Sequence, residues 1–504
     1  MIDSSEDIFI VGQPELVGCK LFLMPTPLEE LKNERLKKLE KIRALGIDPY
    51  PSTFEDRQPI SSALKLGKNV RVAGRLMAWR GHGALSFTDL SDESGQIQIL
   101  FKRDSLPANL VELSQLLDVG DFVGVIGKTF KTKAGELTVE ASDFKLLTKS
   151  LVPLPAKSGL TDTEERYRKR YLDLILNPDV KERFDRISQI VESMRKFLMK
   201  EGYVEVLTPS LQPLYGGTLA RPFETHFNAL DADFYLRISN EMYLKRLIAG
   251  GYEKIFEFSV DFRNEGIDTT HNPEFLQMET MWAYADYKKN MELSEEMFSF
   301  IAKEVLGKTK FIYQGKDVDF KTPWKRMRLV EAVEKETGKS WEKVKSLTDA
   351  KDFAKSVGVN VSEKRLAGEV LEEIFDQKVK PNIVNPTLIY DYPRDVSPLA
   401  KTVKDNPSYT ERFEIFIAGE EYGNSYSEAN DPLLLRENFA QQAKLREAGG
   451  LDAHPVDEDF LAAMEQGMPP TSGLGVGMDR LFMLLTNAPS IRDVMFFPAL
   501  RPKN

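Results

Sequence analysis

The sequence predicts an α+β protein in which a small β-barrel precedes a larger domain built on an antiparallel β-sheet with flanking helices. Three observations carry this reading. Residues 68 to 147 read as three strands, a short helical stretch near 109 to 117, and two more strands. In "IFEFSVDFR", Phe256, Phe258, Val260 and Phe262 alternate with Glu257, Ser259, Asp261 and Arg263, and "FLQMETMWAY" returns with the same period of two. Finally, "SGLGVGMDRLFMLL" sets Gly473, Gly475 and Gly477 on a strand that runs into a helix.

At 504 residues and 42% hydrophobic content the chain exceeds one core and implies two or three domains. The single Cys19 excludes an internal disulfide, and four scattered histidines offer no zinc-ligand spacing. A reducing, cytoplasmic setting follows. The net charge of −10 argues against indiscriminate nucleic-acid binding, so DNA is not an expected partner. No apolar run approaches the roughly 20 residues that span a bilayer, so a membrane is not expected either.

Residues 1–27 open acidic and are broken by Pro14, unlike a signal peptide; they are expected to be an N-terminal extension, with Met24 as an alternative start. Over 28–60 the chain gives a basic amphipathic helix and a connection. Leu28, Leu31, Leu39, Ile42 and Leu45 form its apolar stripe, and six Lys or Arg make a face that is either simply solvated or turned to phosphates. The strands within 61–148 suggest a closed barrel of the oligonucleotide-binding type. A linker over 149–176 begins at "SLVPLPAKSG". The large domain, 177–504, starts with Asn177 and Pro178 as cap and first-turn proline. Behind them Val180, Phe184, Ile187, Val191, Met194 and Leu198 form a helical stripe, and "YVEVLTPSL" reads as the next strand. Residues near 329–380 read as a charged, helical insertion.

The chemistry gathers on the hairpin. Phe275, Gln277, Glu279 and Met281 share one face, and if Arg263 points the same way, a sheet floor presents a cation and an anion together. That suits a zwitterionic or phosphorylated ligand, although a salt-bridged surface hairpin has the same pattern. In "RFEIFIAGEEYGNSYSEAND", Glu414 and Glu421 are oxygen ligands of the kind that magnesium uses while bridging phosphates, and solvated acids look the same. Strict alternation turns Glu421 away from Asn424, so a break at Gly419 or Gly423 is expected. Asn424, Tyr426 and Glu428 then share one face. Arg480 at a helix start adds its charge to that of the helix N-terminus.

Together these residues resemble the class II aminoacyl-tRNA synthetases, and within them the lysyl-tRNA synthetases of bacterial type, from about Leu28 to Pro502. "LMKEGYVEVLTPSL" resembles motif 1, "FRNEGIDTTHNPEF" motif 2 and "GLGVGMDRL" motif 3. "GGTLARPFETHFNALD", "YLKRLIAGG", "YDYPRDVSPLAK" and "GMPPTSGLG" point to the lysyl branch. The resemblance implies a class II synthetase catalytic domain behind an OB-fold, and a homodimer built through motif 1. It implies activation of L-lysine by ATP to lysyl-adenylate, with transfer to the 3′ end of tRNA(Lys), assisted by Mg2+.

It also implies roles. Arg263 and Arg480 are the catalytic arginines. Glu265, His271, Asn272 and Phe275 hold ATP with them and with Glu414. Arg480 lies on the adenine's far side or at the γ-phosphate. Glu414 and Glu421 bind metal. Gly217, Glu241, Arg263, Glu279, Asn424, Tyr426 and Glu428 bind lysine, Glu428 at the side-chain ammonium. In the barrel, Phe87 stacks on an anticodon base, aided by Arg80, Gln98 and Glu136, unless it is a core residue. Three positions depart from the family. Met281 stands where tyrosine is usual, Asn240 where proline is usual, and Phe227 where histidine is common. Two other activities remain: a paralogue that lysylates a protein, which lacks the barrel, and an RNA-binding regulator with a degenerate catalytic domain, which the intact acid and arginine set opposes.

Overall fold

The computed structural model describes residues 26–82, 84–155, 160–218, 220–447 and 456–503. Most of the expected N-terminal extension, with Met24 and Cys19, lies outside them. The chain divides into two compact units between Leu160 and Thr161.

In the first unit, strands Asn69–His82, Leu85–Asp92, Gly95–Lys102, Leu137–Thr148 and Phe122–Lys131 neighbour one another in that order and close into a barrel. Only Gly95–Lys102 and Leu137–Thr148 run parallel. Helix Ala108–Leu116 sits between the third and fourth strands in sequence. Val72, Leu76, Leu90, Ile99, Val125, Val139 and Leu146 fill the interior. The N-terminal helix, Pro27–Ala44, opens with a Thr26–Glu29 capping box. Its expected stripe is only half used: Leu39 and Ile42 are buried, but Leu28 and Leu31 stay about half exposed. Arg35 takes the missing place. Its guanidinium donates to the carbonyls of Val119, Ser150 and Val152, so one of the basic residues is a clamp on the barrel rather than part of a solvated face.

The second unit is organised by a nine-stranded sheet. Its order is Lys325–Arg328, Thr387–Pro393, Asn406–Ile417, Glu420–Ser427, Thr471–Gly477, Glu274–Ala283, Lys254–Phe262, Val204–Glu205, with Thr402–Val403 beside Asn406–Ile417. Pairing is antiparallel except at the two ends of this order. Helices Pro178–Lys200 and Tyr287–Leu306 supply Ile190, Met194, Leu198, Met297 and Ile301 to a core shared with Phe256, Met278, Phe413, Ile415, Leu474 and Val476. All these strand residues lie on one face. The strand expected over "YVEVLTPSL" shrinks to Val204–Glu205, because Pro209 has no N–H for a ladder and Thr208 is held through its N–H and hydroxyl by the Glu257 carboxylate.

Residues expected to be a bare linker form two short helices, Thr163–Arg168 and Arg170–Leu176. The buried Arg170 explains why: it pairs with Asp173 at 2.7 Å and donates to the carbonyls of Arg492, Met495 and Phe496. Helices Leu329–Thr337, Leu347–Ser356 and Ala367–Lys378 build a separate apolar cluster around Val333, Leu371 and Phe375.

Candidate active site

The polar face of the sheet is laid out by strand register. Glu257 pairs with Glu279, Glu279 with Gly475, Gly475 with Asn424, and Asn424 with Glu414. Directly opposed residues share a face, so five strands present one row. The next row runs Met281, Gly473, Tyr426, Arg412. The three glycines of the Thr471–Gly477 strand therefore cut a trough between acids. A Cβ on Gly475 would lie 2.7 Å from Glu279 Oε2, and one on Gly473 would lie 2.6 Å from Glu428 Oε1.

Over this floor lies a cavity of about 780 Å3, lined by every residue expected in the catalytic, ATP, lysine and metal sets except Glu428. The break that turns Glu421 inward occurs at Tyr422: Ile415 pairs with Gly423 but Phe416 with Glu421, which leaves Tyr422 as the extra residue of a bulge. Gly419 is instead the hairpin turn, where Ala418 and Gly419 both adopt positive φ.

At one end, Arg263 leaves the Lys254–Phe262 strand with its guanidinium 4.9 Å above the Phe275 ring. Its buried Nε has no hydrogen-bond partner among the described residues, as expected of a group waiting for an anion. Burial works to lower its pKa, and Asp261, Glu265 and Glu421 oppose that. His271 bridges Asp268 and Arg480: Nδ1 is 2.8 Å from Asp268, and Nε2 is 2.8 Å from the Arg480 guanidinium. Arg480 also donates to the Glu421 carbonyl, and Asp479 fixes the helix by accepting from the Leu276 N–H. Asn272 donates to the Glu274 carbonyl and keeps a buried, unpartnered Oδ1.

In the middle stand the two expected metal carboxylates. Burial, then repulsion from Glu421, pushes the Glu414 pKa well above the carboxylate range. Two side chains that the sequence reading passed over hold Glu414 in place, namely the Tyr392 hydroxyl at 2.8 Å and the Arg412 guanidinium. Arg412 also donates to Asn424 Oδ1, so it orients two site residues. Its position two residues before Glu414, on the same strand face, was the available clue.

At the other end, Glu241, Glu279 and Glu428 converge. Glu428 does not line the cavity; its side chain is fully buried and its Oε2 lies 2.6 Å from Nζ of Lys245, another residue the sequence reading left unassigned. The i, i+4 spacing of Glu241 and Lys245 on helix Glu241–Ala249 could have pointed to it. Glu279 accepts from Gln277 Nε2 at 2.6 Å, and burial and the neighbouring Glu241 raise its pKa well above the usual range. Met281 is fully buried among Met242, Ile255 and Ala283, and its thioether borders Gly473 beside Glu428 without reaching the cavity. Asn240 points away from the cavity and donates to Glu257, and Phe227 lies outside it against Phe234. Neither departure touches the site.

On the barrel, Phe87 is half-buried, pairs across strands with Arg80 and lies outside the apolar interior. Gln98 donates to Glu136 at 2.8 Å, and Arg80 pairs with Asp89.

A sheet floor with unpaired arginine at one end, acids at the other and a glycine trough between them defines a class. The family model described as tRNA synthetases class II (D, K and N) matches residues 162–501, and one described as an OB-fold nucleic acid binding domain matches residues 70–147. The chain belongs to the class II tRNA synthetases. It is 48% identical over 483 residues to the lysine–tRNA ligase of Carboxydothermus hydrogenoformans, covering 95% of this chain and 99% of that protein. With the lysine–tRNA ligase of Bacillus subtilis it shares 48% over 492 residues, 94% of this chain and 98% of the relative.

The trough makes a direct prediction. Gly475→Ala forces a methyl against the buried Glu279 carboxylate and is expected to destabilise this unit by about 1–3 kcal/mol. Gly477→Ala, whose Cβ meets nothing within 4 Å, should leave the thermal unfolding midpoint nearly unchanged.

Proposed function

We propose that this chain activates L-lysine with ATP to form lysyl-adenylate and then transfers the lysyl group to the 3′-terminal adenosine of tRNA(Lys). The observation that carries this reading is one cavity joining Arg263, Arg480, Glu414 and Glu421 to the acids Glu241 and Glu279, with Glu428 buried behind them on Lys245. An aspartate or asparagine enzyme needs a cation facing the substrate side chain; here the free charge in the pocket is negative.

In this reading the lysine carboxylate attacks the α-phosphorus of ATP in line and pyrophosphate leaves. Arg263 bridges carboxylate and α-phosphate in this reading, and neutralises charge as the new bond forms. Phe275 offers its ring to adenine, and Glu265, Asn272, His271 and Arg480 hold the remainder of ATP. A ribose hydroxyl of the tRNA end then attacks the lysyl carbonyl and AMP leaves, with no covalent bond to the protein. Gly217, Glu241 and Glu279 receive the α-amino end, while Asn424, Tyr426 and Glu428 shape the far pocket. Positioning and electrostatics supply the catalysis.

Among the described residues no three His, Cys, Asp or Glu side chains form a ready metal cage. Two mutually repelling carboxylates, Glu414 largely buried and Glu421 open to the cavity, do fit Mg2+, which keeps several waters and is otherwise bound through phosphates. Glu414 and Glu421 would hold it, and it would shield phosphate charge.

No helix among the described residues is long and apolar enough to cross a membrane, and we place the enzyme in the cytoplasm. The half-exposed Val204 and the exposed Leu207 and Leu211 near motif 1 support a homodimer through that segment. The barrel is proposed to read the anticodon through Phe87, Arg80, Gln98 and Glu136, and the 329–380 helices to be an insertion in the catalytic domain.

ATP–pyrophosphate exchange with each of the twenty amino acids tests the reading: lysine should stand far above the rest, and Arg263→Ala should abolish exchange in a folded protein. Preference for another amino acid would overturn it.

The pocket acids also set a pH dependence. Glu279 and Glu428 have raised pKa values in the empty pocket, chiefly through burial, with Glu241 adding to both and Lys245 offsetting part at Glu428. A bound ammonium favours their ionised forms, so lysine binding expels protons and weakens as pH falls below the raised values. The Michaelis constant for lysine should fall steadily between about pH 6 and 8, while that for ATP changes less.

Base stacking on an aromatic contributes about 1–3 kcal/mol. Phe87→Ala should therefore weaken tRNA charging about tenfold or more and leave lysine-dependent exchange near wild type; equal losses in both assays would make Phe87 structural.

A further inference from the structure

Lys245 has no part in the steps above, yet it is among the most deeply buried charged side chains in the protein, at 1% exposure. Its Nζ lies 2.6 Å from Glu428 Oε2, contacts Glu241 Oε1 one helical turn earlier, and sits 5.4 Å from the centre of the Tyr426 ring. Burial alone would strip its proton, but the two carboxylates outweigh it and hold the ammonium charged. The third acid, Glu279, has an amide for its near partner instead of a cation.

The charge count is direct. Glu241, Glu279 and Glu428 carry three negative charges when ionised, and Lys245 returns one, which leaves two. We infer that Lys245 is a positioning and specificity residue: it is an internal counter-ion that ties Glu428 to Glu241 and sets the pocket's charge to that which the two ammonium groups of a diamino acid neutralise. The inference rests on the lysine reading and deepens it. A buried charge without a partner is costly, so both errors are penalised. A substrate with a neutral side chain leaves one carboxylate uncompensated. Without Lys245, the acids have one charge too many for lysine and must take up a proton or repel one another. Glu428, which the sequence reading gave to the substrate ammonium, acts on it through this shared charge and through Glu241, since its Oε2 is engaged by Lys245, its Oε1 is buried, and the residue does not line the cavity.

The charge count separates this role from two others. If Lys245 only fills space, its loss should disturb ATP and lysine alike. If it is a placeholder that departs when the substrate ammonium arrives, its removal should tighten lysine binding. The test is a double-mutant cycle on the full chain, using Lys245→Met, Glu428→Gln and the pair together. Steady-state ATP–pyrophosphate exchange gives KM for lysine, KM for ATP and kcat, and thermal unfolding is recorded for each protein. Each single change should raise KM for lysine about tenfold or more and that for ATP less than about twofold. The pair restores two net negative charges, so its KM for lysine should fall below that of Lys245→Met alone.

A pair no better than Lys245→Met overturns the inference, as does a Lys245→Met protein with unchanged or lower KM for lysine. If Lys245→Met does not fold, the pair is compared with Glu428→Gln: a KM for lysine equal to or below that of Glu428→Gln supports the inference, and a higher one overturns it. A wild-type chain that does not exchange with lysine would overturn the functional reading as well, whereas additive losses in a lysine-active enzyme overturn only the role of Lys245.

Discussion

The second unit depends on one constraint, the separation of the two faces of its sheet. From Asn406–Ile417 to Lys254–Phe262 the strands turn mostly apolar residues to the helix side, where Ser425 and Ser427 are among the exceptions and bond to Asn290 and the Tyr287 N–H, and register aligns the acids of the other face into rows. A slip of one residue in any pairing would turn Glu279 or Glu414 into the core and Met278 or Ile415 into the cavity. The buried helices Pro178–Lys200 and Tyr287–Leu306 make such a slip prohibitive, since it would bury unpaired carboxylates in an apolar layer. The precision of the site is thus a by-product of core packing.

The second organising influence is the burial of charge. The cavity floor carries more carboxylates than such a site tolerates unaided, and each has a specific answer. Glu257 is met by Arg237, Thr208 and Asn240, Glu414 by Arg412 and Tyr392, and Glu428 by Lys245. What remains unpaired is informative. Arg263 Nε, without a hydrogen-bond partner among the described residues, and Glu279, which has the Gln277 amide but no cation beside it, are the two ends of the cavity where compensation is left for a ligand to supply, one for an anion and one for a cation. A molecule with a carboxylate, an adjacent phosphate and an ammonium satisfies both ends at once, which is the chemistry of an amino acid beside ATP.

Asn240 shows why a departure from a family pattern need not reach the substrate. It opens the helix that carries Glu241 and Lys245, but its amide joins the Glu257 network on the polar face, outside the cavity lining. Met281 lies closer to the chemistry, in the same row as Gly473 and Tyr426, yet it packs with Met242 and Ile255 as a core residue. Its thioether is soft enough to fill the space beside a carboxylate without demanding a hydrogen bond.

The sequence by itself determined the order of the barrel and the large domain, the alternation of the motif strands, and which residues share a face, because these follow from local periodicity. It also indicated that something must break the register between Glu414 and Asn424, since both could not otherwise face inward with Glu421. Only the tertiary structure decided that the extra residue is Tyr422, that Arg35 replaces two leucines against the barrel, that Phe87 stays out of the barrel core, and that Lys245 meets Glu428. The physical reason is that none of the four follows from periodicity: the bulge is set by the hairpin register against Ile415 and Phe416, the others by partners remote in sequence, and the Lys245–Glu428 pair joins a helix to the end of a strand 183 residues away. Periodicity shows that a lysine follows a glutamate by one helical turn; it cannot show which second carboxylate that lysine will be asked to neutralise.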